Sequence, residues 1–202
     1  MVYIDGFNFY FGLRSEGYRH YYWLDFPKFA RNLTRKLDNS EVVGVKYFTA
    51  RINWPDSKRK RQNDYLEALT LRGGLEIVYG NYRDNEVTCG ACKHTNLVPN
   101  EKQTDVNIAV HMMEDAYDNK FDALLLIGGD SDLVPPLVKI KARYPEKHIR
   151  CCFPPRRSSK EIRAVSDKQL HIEEADYKNS LLPDVIKHPT NGWTYRRPDK
   201  WK

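Results

Sequence analysis

Four aspartates stand where the chain would leave or enter regular structure: Asp5 in YIDGFN, Asp105 in KQTDVN, and Asp130 and Asp132 in LLLIGGDSDL. Carboxylates drawn into one crevice repel one another unless some are protonated or a cation sits among them. All-oxygen donors select a hard divalent ion, Mg²⁺ or Mn²⁺, which usually keeps several waters. Such an ion can activate a bound water and clamp a phosphoryl oxygen. Ordinary helix chemistry competes with this reading for any single residue, because Asp in a first turn satisfies free N–H groups and Asp after Gly is common in turns. What sets these acids apart is their recurrence at strand ends in three separate segments, where they are expected to converge. Asn8 could add a neutral oxygen or a substrate hydrogen bond, and Ser131 could orient a phosphate or a metal-bound water.

To bring these residues together the chain must form a sheet whose strand ends share one edge. Apolar runs predict strands over 2–4, 42–50, 75–82, 121–127 and 148–153, with a weak sixth near 169–172. Between them, Asp25 is placed to cap a helix that buries Phe26, Phe29, Ala30, Leu33 and Leu37, with Pro27 in its first turn. Ser57 is expected to cap a second helix that runs to Arg72 and is stopped by Gly73 and Gly74. Thr104 would cap a third, to about Tyr117, burying Val106, Ala109, Val110 and Met113; two more follow Ser131 and Ser158. Strands made of apolar runs and alternating with helices predict an α/β, three-layer sandwich with a mainly parallel sheet. In such a sheet ligands bind at the carboxyl ends of the strands. The glycines of GGDSD would let the chain turn sharply there.

The 202 residues fit one domain, read as 1–177, with an insertion at about 83–102 and a basic, aromatic tail over 178–202. No apolar run approaches the ~20 residues of a membrane span and no leader is evident, so a cytoplasmic protein with no membrane partner is expected. Thirty-three Lys and Arg against 27 Asp and Glu leave a charge of +6, which favours polyanions. Two clusters carry much of it: KRKR at 58–61, most simply a solvated helix face, and PPRRSSKEIR at 154–163, whose Arg156 and Arg157 could reach phosphates at the acidic edge. Lys102 could offset phosphate charge as well. Tyr18, Tyr21, Tyr22 and Trp23 would either stack on bases or be buried. Cys89 and Cys92 have knuckle spacing but offer Zn²⁺ only half a site, with His94 nearby; Cys151 and Cys152 lie in a predicted strand and should pack as small hydrophobes. Position 7 is Phe, so the D-x-D of an aspartyl-phosphate enzyme is missing, and there is no phosphate-binding loop, dinucleotide fingerprint or G-x-S-x-G elbow.

The segments YIDGFNFYFG, EKQTDVNIAVHMMEDAY (101–117) and FDALLLIGGDSDLVPPL (121–137), with YFTARI at 47–52 and the closing GWTYRRPDKW, resemble the NYN-domain family of PIN-like nucleases, in particular its LabA-like branch. The resemblance covers about residues 1–177. It implies a PIN-like Rossmannoid fold and, for active members, metal-dependent cleavage of RNA. The family's acidic positions match Asp5, Asp105 and Asp130, with Asp132 as the second acid of its GDSDF-like motif; Leu133 replaces the Phe, and Gln103 and Thr104 replace a Gly and its neighbour. The expectation is therefore a ribonuclease using Mg²⁺ or Mn²⁺ on Asp5, Asp105 and Asp130, with an inactive RNA-binding module or a DNA nuclease as alternatives. A homodimer is left open.

Overall fold

The computed structural model describes residues 1–37, 40–53, 55–88 and 90–202, and the side chains of these except 83–85 and 96–101. Its centre is a six-stranded sheet in which every pairing is parallel. The strands are β1 (Val2–Asp5), β2 (Val45–Thr49), β3 (Glu76–Tyr79), β6 (Ala123–Ile127), β7 (His148–Cys152) and β8 (Lys168–Leu170), in the order β3-β2-β1-β6-β7-β8. An antiparallel hairpin of β4 (Asn81–Thr88) and β5 (Thr95–Lys102) stands outside the sheet. It accounts for the segment that breaks the strand-helix alternation, and the strand expected over 75–82 divides between β3 and β4.

Alternate residues of the strands serve opposite faces. Val2, Ile4, Leu125, Ile127 and Cys152 join one core with α1 (Gly6–Ser15), α2 (Phe26–Thr34), α3 (Asp56–Arg72) and α7 (Glu174–Lys178). Tyr3, Leu124, Leu126, Ile149 and Cys151 join the other with α4 (Thr104–Tyr117), α5 (Val134–Arg143) and α6 (Lys160–Val165). The adjacent cysteines are both buried and point to opposite layers, as period two requires. The three-layer α/β sandwich is thus present.

Several local readings are corrected. No helix is predicted over residues 6–15, where the run FNFYFGL is largely apolar and glycines stand at 6 and 12; there α1 buries Gly6, Phe9, Gly12 and Leu13 against the body and leaves Tyr10, Phe11, Arg14 and Ser15 exposed. The cap of α3 is Pro55 rather than Ser57, and that of α4 is Gln103, in a left-handed conformation, rather than Thr104. In α4 the buried face is Thr104, Ile108, Met112, Asp115 and Ala116. Val106, Val110 and Met113, expected inside, are exposed at 64%, 56% and 46%. The helix turns its other face inward because Asp115, fully buried, is hydrogen-bonded by the Tyr3 hydroxyl and paired with Lys46 and Lys120. A polar residue so well supplied with partners can face the core.

The tail is packed on the body. β9 (Val185–Lys187) and β10 (Thr194–Arg196) form a hairpin, and the Trp201 ring meets Tyr22, Trp23 and Tyr65. Trp23 donates its indole N–H to the Pro183 carbonyl at 2.9 Å. Trp23, Tyr21 and Tyr22 are consequently buried, whereas Tyr18 is half-buried.

Candidate active site

The chain builds β1, then β2 and β3 to one side, and returns to lay β6, β7 and β8 on the other. The point where the order reverses lies between β1 and β6, and a crevice forms outside the carboxyl ends at such a switch point. Asp5 is the last residue of β1, and Asp130 follows β6 after Gly128 and Gly129. The two acids therefore flank the crevice.

Local chemistry holds each in place. Asp5 is 3% exposed and caps α1, accepting the Asn8 backbone N–H at 2.9 Å. The Asn8 side-chain oxygen in turn accepts the Gly129 N–H at 3.0 Å, which fastens α1 to the loop after β6. That oxygen is engaged in positioning the loop. Asp130 is half-buried and caps the 3-10 turn Ser131–Leu133 through the Asp132 N–H at 3.0 Å. Asp132 and Ser131 are exposed on this turn. Asp105 is half-buried in the first turn of α4, whose start is tied to the end of β3 by the Asn107 amide donating to the Tyr79 carbonyl at 3.3 Å. Lys102 is exposed at the end of β5.

The glycines at this edge work through close approach, not turn conformation, since neither has a positive φ. A Cβ on Gly128 would stand 3.0 Å from the Asp5 Cβ. One on Gly129 would lie 3.2 Å from the Ser158 nitrogen and 3.3 Å from Arg157. A Cβ on Gly12 would also press on Arg157, at 3.4 Å, so the Arg157 stem is sandwiched between α1 and the Asp130 loop. Its Nε is buried with no hydrogen-bond partner among the described residues. Arg156 instead turns outward and pairs with Glu16 at 2.6 Å. The neighbouring arginines thus have different surroundings.

The acids share the edge without closing on one point. Among the described residues, no three His, Cys, Asp or Glu side chains are grouped as around a single metal ion. Like charges separate, and local N–H donors satisfy Asp5 and Asp130 individually. The donor set still suits a hard cation that needs only one or two carboxylates and completes its shell with water and phosphate oxygens. Cys89 lies outside the described residues, and Cys92 is an exposed free thiol.

Sequence reasoning did not find the support beneath this edge. Lys46 from β2 and Asp115 from α4 approach to 2.6 Å, and His111 Nδ1 lies 3.1 Å from the same ammonium. Burial alone would push the Asp115 carboxyl up, but hydrogen bonds from Lys46, Lys120 and Tyr3 outweigh it and hold its pKa below the ordinary value. This network links β1, β2 and α4, the elements that carry Asp5 and Asp105. Its only sequence signal is a lysine in an otherwise apolar strand and an aspartate within a helix.

The profile of the NYN domain matches residues 1–173. The chain belongs to the NYN domain family. That places this NYN domain among the PIN-like nucleases. It is 27% identical over 240 aligned positions to a 6-hydroxy-3-succinoylpyridine 3-monooxygenase of Pseudomonas putida, with 99% of this chain and 74% of that protein covered. A crystal structure of a protein of unknown function from Vibrio parahaemolyticus has the same fold, with a TM-score of 0.58 and 24% identity over 90% of this chain and 94% of that one. No helix among the described residues is long and apolar enough to cross a membrane.

Proposed function

We propose that this NYN domain is a metal-dependent ribonuclease that hydrolyses phosphodiester bonds at the crevice between β1 and β6. The observation that carries the reading is the placement of Asp5 and Asp130 at the two strand ends flanking the switch point. Mg²⁺ or Mn²⁺ held by Asp5 and Asp130, with Asp105 and Asp132 beside them, would supply a water of lowered pKa and neutralise charge on the scissile phosphate. The chain's own groups prepare the ground. The Asn8 N–H fixes the Asp5 carboxylate, the Asn8 to Gly129 bond sets the loop that presents Asp130, and Arg157, whose stem packs against Gly129, would bring a positive charge to the phosphate side. Attack by water on phosphorus with departure of the 3′ oxygen leaves a 5′-phosphate and a 3′-hydroxyl, and requires no ribose 2′-OH.

The test is cleavage of end-labelled single-stranded and hairpin RNA, with DNA of the same sequence, in Mg²⁺, Mn²⁺ or EDTA. Wild type should cut RNA only with metal, and Asp130→Asn should lose at least about a hundredfold in rate, the scale of removing one preorganised electrostatic group. RNA bound equally by both proteins and cut by neither would replace the enzyme with a binding module, and a strong preference for DNA would move the substrate. One observation favours a second reading, chemistry on a small heteroaromatic ring as in the name of the Pseudomonas relative: an aromatic cavity lies beside Asp5.

A further inference from the structure

That cavity, of about 280 Å³, opens over the carboxyl ends of β1 and β2. Gly6, which directly follows Asp5, and Thr49, the last residue of β2, both line it. It lies on the β2 side of Asp5, whereas Arg157 and Asp130 lie on the β6 side. Gly6 makes the floor possible: a Cβ there would fall 2.5 Å from the Phe48 carbonyl oxygen and 2.8 Å from the Tyr47 ring. With hydrogen in that place, α1 seats against β2, and Tyr47 stacks on Phe26 at 4.6 Å beneath the cavity.

The walls are rings. Tyr10, 39% exposed, leans on Tyr22 at 4.9 Å, and Tyr22 meets the Trp201 ring edge-on at 5.6 Å. Burial, with Tyr10 beside it, raises the Tyr22 hydroxyl to about 12, so Tyr22 is uncharged at neutral pH. Among the described residues the charge in the lining has one sign: Arg14, Lys58 and Arg61 contribute to it and no Asp or Glu does.

Helical periodicity explains how KRKR supplies that charge. Lys58 and Arg61 are three apart and share a face of α3 with Gln62 and Tyr65, which also line the cavity. Arg59 and Lys60 face elsewhere and pair with Asp56 and Asp64. Neither Lys58, Arg61 nor Arg14 takes part in any ion pair among the described residues. The run is therefore divided between two neutralised cations and two held over an aromatic cavity.

An occupant must be flat, carry negative charge, and be small, since the volume lies below the ~300–1,000 Å³ of sites for drug-sized ligands. A single base with its phosphate meets all three conditions. We propose that this cavity seats one unpaired base of the RNA, stacked against Tyr10, with an adjoining phosphate on Arg14, Lys58 and Arg61. The proposal rests on the nuclease reading and deepens it: the strand would run along the sheet edge from the cavity past Asp5 to Arg157. A base held one step from the scissile phosphate would select single-stranded substrate, because a paired base cannot enter.

The experiment is binding of a fluorescein-labelled single-stranded oligoribonucleotide, followed by anisotropy in EDTA so that turnover plays no part. Tyr10→Ala and Lys58→Glu are compared with wild type, and AMP and nicotinate serve as competitors. Both side chains are exposed, so both variants should keep the wild-type melting temperature. Stacking losses on this scale weaken binding by about tenfold, and AMP should displace the RNA from wild type but not from Tyr10→Ala. RNA bound equally by all three proteins and insensitive to AMP would overturn the base assignment and leave the nuclease reading standing. RNA ignored by wild type, with nicotinate bound in a Tyr10-dependent manner, would overturn both and make the cavity a small-molecule site.

Discussion

Replacing Asp115 by asparagine removes one charge from a buried network while keeping the side chain's size. Asp115 has no exposed surface and accepts from Lys46 at 2.6 Å, Tyr3 at 2.9 Å and Lys120 at 3.0 Å; the Lys46 side chain is itself only 11% exposed. Removing one partner of a buried pair typically costs about 3–5 kcal/mol, because the other charge stays buried. Asparagine can still accept from Tyr3, which places the loss near the low end, about 3 kcal/mol. For a domain of this size 1 kcal/mol corresponds to about 2–4 °C, so the melting temperature should fall by about 6–12 °C. Urea unfolding gives the free energy and a thermal scan gives the shift. Adding Lys46→Met should recover part of the loss by removing the stranded ammonium. The network also has a pH signature. Its partners hold the Asp115 pKa below the ordinary value despite burial, so its contribution is complete above the unfolded pKa of about 3.9 and is lost as pH falls through the lower folded value. Wild type should therefore lose stability below about pH 4 more steeply than Asp115→Asn. A loss under about 1 kcal/mol, or equal acid sensitivity, would show that the pair behaves as a solvent-screened surface pair and refute the reasoning.

The inversion of α4 can be read by comparing two truncations: Met112→Ala should cost about 2–5 kcal/mol, whereas Val110→Ala should stay within about 0.5 kcal/mol. Similar costs in urea unfolding would mean that the helix is rotated. Arg157→Ala should lower the slope of log binding constant against log salt by about 1, while Arg156→Ala, whose guanidinium is occupied by Glu16, should leave it nearly unchanged. Equal effects on the two slopes would contradict the separation of these arginines.

Strands β1, β2, β6 and β7 were legible because apolar runs bounded by polar turns have one sensible home in a parallel sheet, and α2 because its cap and apolar spacing agree. The helix α1 was not, since its glycines and the nearly continuous apolar run FNFYFGL blur the period that marks a surface helix. The face of α4 misled for the opposite reason. Both its sides carry apolar residues, and only the partners of Asp115, drawn from β1, β2 and the turn after α4, decide which one is buried.

The candidate site divides in the same way. The sequence by itself determined that acids follow strands and that the loop after β6 begins with two glycines, because both are properties of neighbours along the chain. Tertiary structure alone decided that Asp5 and Asp130 flank a switch point, that among the described residues the acids share an edge without gathering three to a point, and that the stem of Arg157, not the Glu16-paired Arg156, packs against the loop that leads to Asp130. It also decided that Lys58 and Arg61 hang over a cavity walled by Tyr10, Tyr22 and Trp201. Those side chains are separated by as many as 191 positions, from 10 to 201, and nothing in local propensity encodes which distant segments will meet. Strand order and packing of the two cores settle that, because they are set by the total apolar surface the chain can bury at once.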